Sequence, residues 1–145
     1  MSTLTASINN SGRMQEQLTF SSKVENINLV EKLIDDVCER YEVNEDYYGN
    51  ILIAITEAVN NAIHHGNKSN PMAEVKVAFD VQNDELVFVI EDEGPGFDFE
   101  GLPDPTDPKN IEKPHGRGVF LMRNLSDDIS FLNDGSTVKM NFKMH

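Results

Sequence analysis

The stretch Glu57-Ala58-Val59-Asn60-Asn61-Ala62-Ile63-His64-His65 lies within a longer amphipathic pattern, and its reading decides how the rest of the chain is organised. Around it Tyr48, Ile51, Leu52, Ile55, Val59 and Ala62 recur at helical spacing. At about 100° per residue, Glu57, Asn60, Asn61 and His64 collect on the opposite face. Asn44 is placed to cap this helix, Glu45 and Asp46 suit the positive end of its dipole, and Gly66 reads as its stop, giving about five to six turns. Four residues of rise set Glu57 and Asn61 about 6 Å apart along the axis on one side, so a carboxylate and an amide oxygen face one hydrated ion or one nucleophile. Magnesium takes oxygen ligands and keeps several waters, which an amide carbonyl and triphosphate oxygens satisfy. A solvated helix face accounts for the same residues. Two adjacent asparagines, poor helix formers, in the middle of a good helix weigh toward chemistry.

Downstream, residues 73–81 and 85–91 are β-branched and aromatic runs joined through Gln82-Asn83-Asp84, the pattern of a hairpin. The second run ends in Glu91-Asp92-Glu93-Gly94-Pro95-Gly96-Phe97. A carboxylate at a strand end accepts a hydrogen bond from an exocyclic amino group, and glycines after it let backbone approach a flat base. Alone, this motif is equally a strand-terminating turn. Residues 94–114 then break into Gly, Pro and Asp, too long for an ordinary connection, and read as a lid carrying Lys109 and Lys113. His115-Gly116-Arg117-Gly118 opens a helix over residues 119–125, where glycine N–H groups and the helix dipole form a natural phosphate cradle and Arg117 adds a charged donor. Strands over 129–132 and 137–144 follow, linked by Asn133-Asp134-Gly135.

Upstream, residues 15–21 alternate like a strand, Ser22-Lys23-Val24-Glu25 spells a capping box, and Leu29, Val30, Leu33, Ile34, Val37, Cys38 and Tyr41 mark a first helix. Residues 1–14 read as a mobile polar tail before a single domain over 15–145. The order β-α-α-β-β-lid-α-β-β implies a two-layer α/β sandwich, with a mixed, mainly antiparallel sheet covered by helices on one face.

A chain of 145 residues suits one domain, which hides about two-thirds of its unfolded surface. Asp+Glu 25 against Lys+Arg 12 give a net charge of -13, which repels a phosphate backbone and argues against direct nucleic-acid binding. A bound nucleotide needs local help from backbone N–H groups, a divalent cation and a few placed bases. Cys38 is the single cysteine, so no intramolecular disulfide framework exists and a reducing compartment is expected. No apolar run approaches the roughly 20 residues of a membrane span, and the N-terminus does not read as a signal peptide, so a cytoplasmic protein without a membrane partner is expected.

Taken in order, the E-x-x-x-N helix, the D-x-G-x-G strand end, the long loop and the G-x-G helix resemble the N, G1 and G2 boxes of the GHKL superfamily, whose domain is the Bergerat or histidine-kinase-like ATPase fold. The TEAVNNAIHHG form of the first box and GRGVFLMRNL after the lid look most like its anti-sigma factor serine/threonine kinases. The resemblance implies ATP and Mg2+ as ligands, with Glu57 as general base or water-orienting carboxylate and Asn61 as magnesium ligand. It implies that Asp92 holds the adenine amino group, that Gly94 and Gly96 shape the base pocket, that Gly116, Arg117 and Gly118 cover the phosphates, and that Thr137 lies beside the adenine. His64 and His65 are expected to be structural or supporting. The implied activity is phosphorylation of a STAS-type anti-anti-sigma protein, with sequestration of a sigma factor in the other state and a homodimer as the assembly. A module that binds ATP or ADP and controls a partner without turnover is the alternative. Two departures bear on partner choice: Glu31, flanked by Asp35 and Asp36, stands where sporulation-type members carry a partner-contacting arginine, and the lid GLPDPTDPKNIEKP lacks their threonine-rich segment.

Overall fold

Strands Thr3–Ala6 (β1), Glu16–Ser21 (β2), Glu74–Gln82 (β3), Glu85–Glu91 (β4), Asp128–Leu132 (β5) and Thr137–Lys143 (β6) form one sheet in the order β1-β2-β3-β4-β6-β5. Every pairing among them is antiparallel. The computed structural model describes residues 3–6, 15–100 and 114–145; residues 101–113 of the expected lid, with Lys109 and Lys113, and residues 1–2 and 7–14 of the expected tail lie outside them. Within that tail, Thr3–Ala6 are not loose: they add a strand along the free edge of β2, with Leu4 opposite Leu18. An exposed strand edge offers unpaired N–H and C=O groups that a neighbouring segment can satisfy.

The sheet is pinned by two turns whose residues suit left-handed backbone. Between β3 and β4, Asn83 (φ 53) and Asp84 (φ 62) are the two central residues of the hairpin, with Gln82 opposite Glu85. This primed turn matches the strand twist, and short side chains tolerate it. Between β5 and β6, Asn133, Asp134 and Gly135 all take positive φ.

Helices Ile27–Arg40 (α1), Glu45–Asn61 (α2) and Pro114–Leu125 (α3) share one core with one face of the sheet. Val30, Ile34 and Val37 from α1, and Ile51, Ile55 and Val59 from α2, pack with Val77, Phe79, Phe88, Ile90 and Met140 from the strands, all effectively excluded from water. Burial of each such side chain contributes about 1.5–3 kcal/mol, which holds the helices on this face. Arg40 at the end of α1 pairs with the buried Glu16 carboxylate on β2. Cys38 packs in the same core, where burial first and Asp35 second push its thiol up to about 11, so it is an inert packing residue. Among the described residues, no helix is long and apolar enough to cross a membrane.

Three local expectations are corrected. The capping box at Ser22 does not form: a short turn, Val24–Asn26, precedes α1, and Lys23 at its cap makes no side-chain bond. Ser22 is instead buried, donating from its hydroxyl to Ala73 O (2.8 Å) and accepting from Asn67 Nδ2 (2.8 Å). A buried hydroxyl is satisfied wherever partners lie, and here they come from distant chain. The second helical stretch does stop at Gly66, but not as an α-helix throughout: α2 ends at Asn61 and passes into a π-helical turn, Ala62–Gly66, closed by the Asn67 N–H on Ala62 O at 2.8 Å. The third helix begins at Pro114, a residue suited to a first helical position, so its glycines lie inside it rather than before it.

Candidate functional site

Asn44 caps α2 as expected, its side chain accepting from Asp46 N, and the apolar stripe of α2 seats the helix on the sheet with Glu57 and Asn61 on its outer flank. The wide π turn then carries the chain past the end of β4; such turns interrupt α-helices preferentially at functional positions. Between α2, the ends of β4 and β6, and α3 opens a cleft lined by residues of all four elements. Its apolar walls include Ala58, Ile90, Met122 and Val138, and its polar lining is Asn61, His65, Asp92 and Ser136.

One end is organised around Asp92. Its backbone N–H donates to Ser136 O (2.9 Å), and its Oδ1 accepts from Gly94 N (2.7 Å). The carboxylate lies so close to Gly66 that a Cβ there would sit 2.3 Å from it, and a Cβ at Gly94 would sit 2.1 Å from Gly66 O. Gly96 has φ +87, and a Cβ there would meet Asp134 O at 2.0 Å, while the adjoining Phe97 N–H donates to that same oxygen (2.8 Å). The G-x-G after Asp92 therefore locks the loop onto the β5–β6 turn. Burial holds the Asp92 carboxyl above its ordinary range, with Gly94 N–H acting against the shift and Glu91 adding to it.

An aromatic wall borders this end. Phe97 meets Phe131 edge-on at 5.8 Å, Phe99 stacks on Phe131 at 4.7 Å, and the Arg123 guanidinium lies 5.4 Å over the Phe131 ring. Flat rings and a partly buried carboxylate suit a planar heterocycle with an exocyclic donor.

At the other end Glu57 and Asn61 face α3. A Cβ at Gly118 would lie 3.0 Å from Asn61 Nδ2 and 3.2 Å from both Asn61 Oδ1 and Glu57 Oε2, so glycine lets α3 approach the pair. Among the described residues, Asn61 Nδ2 is the buried side-chain polar atom that has no hydrogen-bond partner. Such a donor costs about 1–3 kcal/mol while unsatisfied. An N–H donor and an amide oxygen side by side fit a phosphate oxygen and a hard cation. No group of three or more His, Cys, Asp or Glu side chains among the described residues could hold a metal ion.

The structure thus brings Asn61, Asp92 and Gly96 around one cavity, with Gly94 behind Asp92; Glu57 and Gly118 do not line it but lie against each other and against Asn61. Gly116 and Gly118 are buried in the first turns of α3, and Arg117 is exposed on it. Only the first-turn N–H groups of a helix stay free for an anion, so Gly118 contributes close approach rather than a donor. Thr137 does not line the cavity: it is buried, its hydroxyl accepts from Asn133 Nδ2 (3.0 Å), and Ser136 and Val138 take the place expected for it. Strand alternation carries that signal in the sequence, since Val138 faces the core and its parity mate is residue 136. The two histidines separate. Both are exposed, but His65 lines the cavity, its pKa lowered by partial burial and by His64, whereas His64 turns to Ser69, its Nδ1 3.0 Å from Ser69 Oγ. Phe131 and Asn67 were not foreseen; neither sits in a motif.

Comparison with known proteins identifies the family of the domain. The profile of the histidine kinase-like ATPase domain family matches residues 20–142. The chain is 30% identical over 131 residues to Serine-protein kinase RsbW of Bacillus cereus strain Q1, covering 86% of this chain and 81% of that protein. Serine-protein kinase RsbW of Bacillus thuringiensis subsp. konkukian has the same identity and coverage. That of Oceanobacillus iheyensis is 26% identical over 123 residues, covering 81% of this chain and 78% of its own length.

Proposed function

The chain belongs to the histidine kinase-like ATPase domain family, and from that premise we propose that it is a Mg-ATP-dependent serine/threonine protein kinase acting on a STAS-type anti-anti-sigma protein and sequestering a sigma factor in its other state. The observation that carries this reading is the buried Asn61 amide nitrogen, without a hydrogen-bond partner among the described residues, beside Glu57 and lining the same cavity as Asp92. Its likeness to the serine-protein kinases supports the choice of acceptor, and the resemblance supports a cytoplasmic homodimer.

Asp92 accepts a hydrogen bond from the exocyclic amino group of adenine, while Phe97 and Phe131 border the ring and Gly96 keeps that wall thin. Asn61 Oδ1 would hold magnesium and Asn61 Nδ2 a phosphate oxygen. Magnesium bound with the triphosphate neutralises charge that builds on the phosphate oxygens. Glu57 orients the acceptor hydroxyl and takes its proton as that oxygen bonds to the γ-phosphorus and the bond to the β–γ bridging oxygen breaks. Phosphoryl transfer depends mostly on positioning and charge neutralisation, so this set is sufficient. Arg117, exposed on α3, adds a positive charge for the phosphates.

The test is transfer of labelled γ-phosphate from ATP to a co-encoded STAS protein, wild type beside Glu57→Ala. The reading expects transfer to a Ser or Thr of the acceptor, reduced about 10²–10⁴-fold in the variant with ATP affinity retained. Unchanged transfer in the variant removes Glu57 from its role. No transfer by the intact pair, with ATP-dependent binding kept, favours the module that controls a partner without turnover.

A further inference from the structure

Asn67 follows the π turn and is 6% exposed, yet every polar group of its side chain is used. Nδ2 donates to Ser22 Oγ (2.8 Å) and Glu74 O (3.0 Å), and Oδ1 accepts from Glu93 N (2.8 Å). One amide therefore ties together the end of β2, the start of β3 and the loop after β4.

The bond to Glu93 bears on the site. The direction in which a side chain leaves the backbone is set by the two rigid peptide planes flanking its Cα. For Asp92, one plane carries its own N–H, held by Ser136 O at 2.9 Å. The other carries the Glu93 N–H, held by Asn67 Oδ1. With both planes anchored, the bond from Gly94 N to Oδ1 then sets the rotation of the carboxylate, which rests on Gly66, the residue before Asn67. The same short segment supplies both the floor under the carboxylate and the anchor for its backbone.

We infer that Asn67 is a positioning residue for base recognition: by holding the Glu93 N–H it aims the Asp92 carboxylate into the cavity, and so contributes to discrimination between 6-amino and 6-oxo purines without touching the nucleotide. This rests on the reading that Asp92 accepts from the adenine amino group. A 6-oxo purine presents an acceptor at that atom, and two acceptors facing each other leave a half-buried carboxylate unpaired. A few tenths of an ångström of freedom at Asp92 weakens the preferred contact more than the disfavoured one.

The experiment measures affinity of the whole chain for Mg-ATP and Mg-ITP by titration calorimetry, with melting temperature in parallel. Wild type is expected to prefer ATP by about tenfold or more. Asn67→Ala should bring the preference to about threefold or less, as loss of one well-placed hydrogen bond would. Asn67→Asp, which keeps an acceptor for Glu93 N–H and loses both donations, should lower the melting temperature but restore most of the preference. Ser22→Ala, which removes one partner of Asn67 away from Asp92, should lower the melting temperature and leave the ratio at the wild-type value. If Asn67→Ala does not fold, Asn67→Ser is measured in its place. A wild-type ratio in a folded Asn67→Ala or Asn67→Ser protein overturns the inference and leaves Asn67 as a structural tie. Equal affinities of wild type for the two nucleotides overturn the Asp92 reading itself, and the inference with it, a result distinct from the first.

Discussion

At the Asp92 end of the cavity, Gly66 closes on the Asp92 carboxylate, Gly94 on Gly66 and Gly96 on the β5–β6 turn, and the backbone N–H groups of residues 92, 93, 94 and 97 all have acceptors, whereas at the Asn61 end Glu57 and Asn61 face Gly118 and, among the described residues, a buried amide donor is left over. The first end is finished by folding. The second retains a cost that a nucleotide is suited to remove, so substitutions at the two ends should have different signatures in stability and binding.

The largest effect is expected at Gly96. Gly96→Ala forces a side chain into a left-handed conformation and against Asp134 O, costing about 3 kcal/mol or more of stability in chemical denaturation and abolishing detectable ATP binding. At the other end Asn61→Ala should do the opposite to stability. It removes an unsatisfied buried donor and a poor helix former, raising stability by about 1 kcal/mol, while ATP affinity falls about 100-fold by calorimetry. A destabilised Asn61→Ala would mean that the amide is satisfied in the ligand-free protein.

Asp92→Asn is intermediate, with ATP affinity reduced about tenfold. Its stability effect has a definite sign. Because the folded-state pKa of Asp92 is raised above 3.8, the folded chain holds that proton to higher pH than the unfolded chain, so wild-type stability falls as pH rises through the window from 3.8 to the raised value. The variant lacks this loss and should be the more stable of the two at neutral pH, with the gap closing as pH falls through that window. Urea melts at matched pH values measure it. The smallest effect belongs to Gly118→Ala. Alanine gains about 1 kcal/mol over glycine within a helix, offset by crowding of Asn61 and Glu57, so stability should move by less than about 1 kcal/mol. Phosphoryl transfer should slow by about three- to tenfold, because the pair is displaced.

The sequence carried the layered α/β architecture because hydrophobic period and turn chemistry agree in nearly every element: the Asn83-Asp84 and Asn133-Gly135 turns lie where left-handed residues were read, and Asn44 caps α2. It failed where long-range partners decided the outcome. Ser22 fits a local capping box but is claimed by Ala73 and Asn67, and β1 depends on an edge that no local pattern records. In the site, Glu57, Asn61, Asp92 and the glycines were legible because close approach and paired oxygens demand those residue types. Asn67 was not, since a buried amide with three distant partners looks in sequence like any loop asparagine. Thr137, expected beside the adenine, is buried with its hydroxyl on Asn133 Nδ2 while its strand neighbours Ser136 and Val138 line the cavity, since one residue along a strand moves a side chain to the opposite face.

The most direct test of the account is the side-chain amide resonance of Asn61, assigned by loss of its signal in Asn61→Ala and followed by NMR as a non-hydrolysable Mg-ATP analogue is added. The account predicts a large shift and slowed solvent exchange of the Asn61 NH2 pair on saturation, together with a shift of the Glu93 backbone amide at the opposite end. An Asn61 NH2 signal that stays in place while Glu93 shifts and the nucleotide is shown to be bound would contradict it.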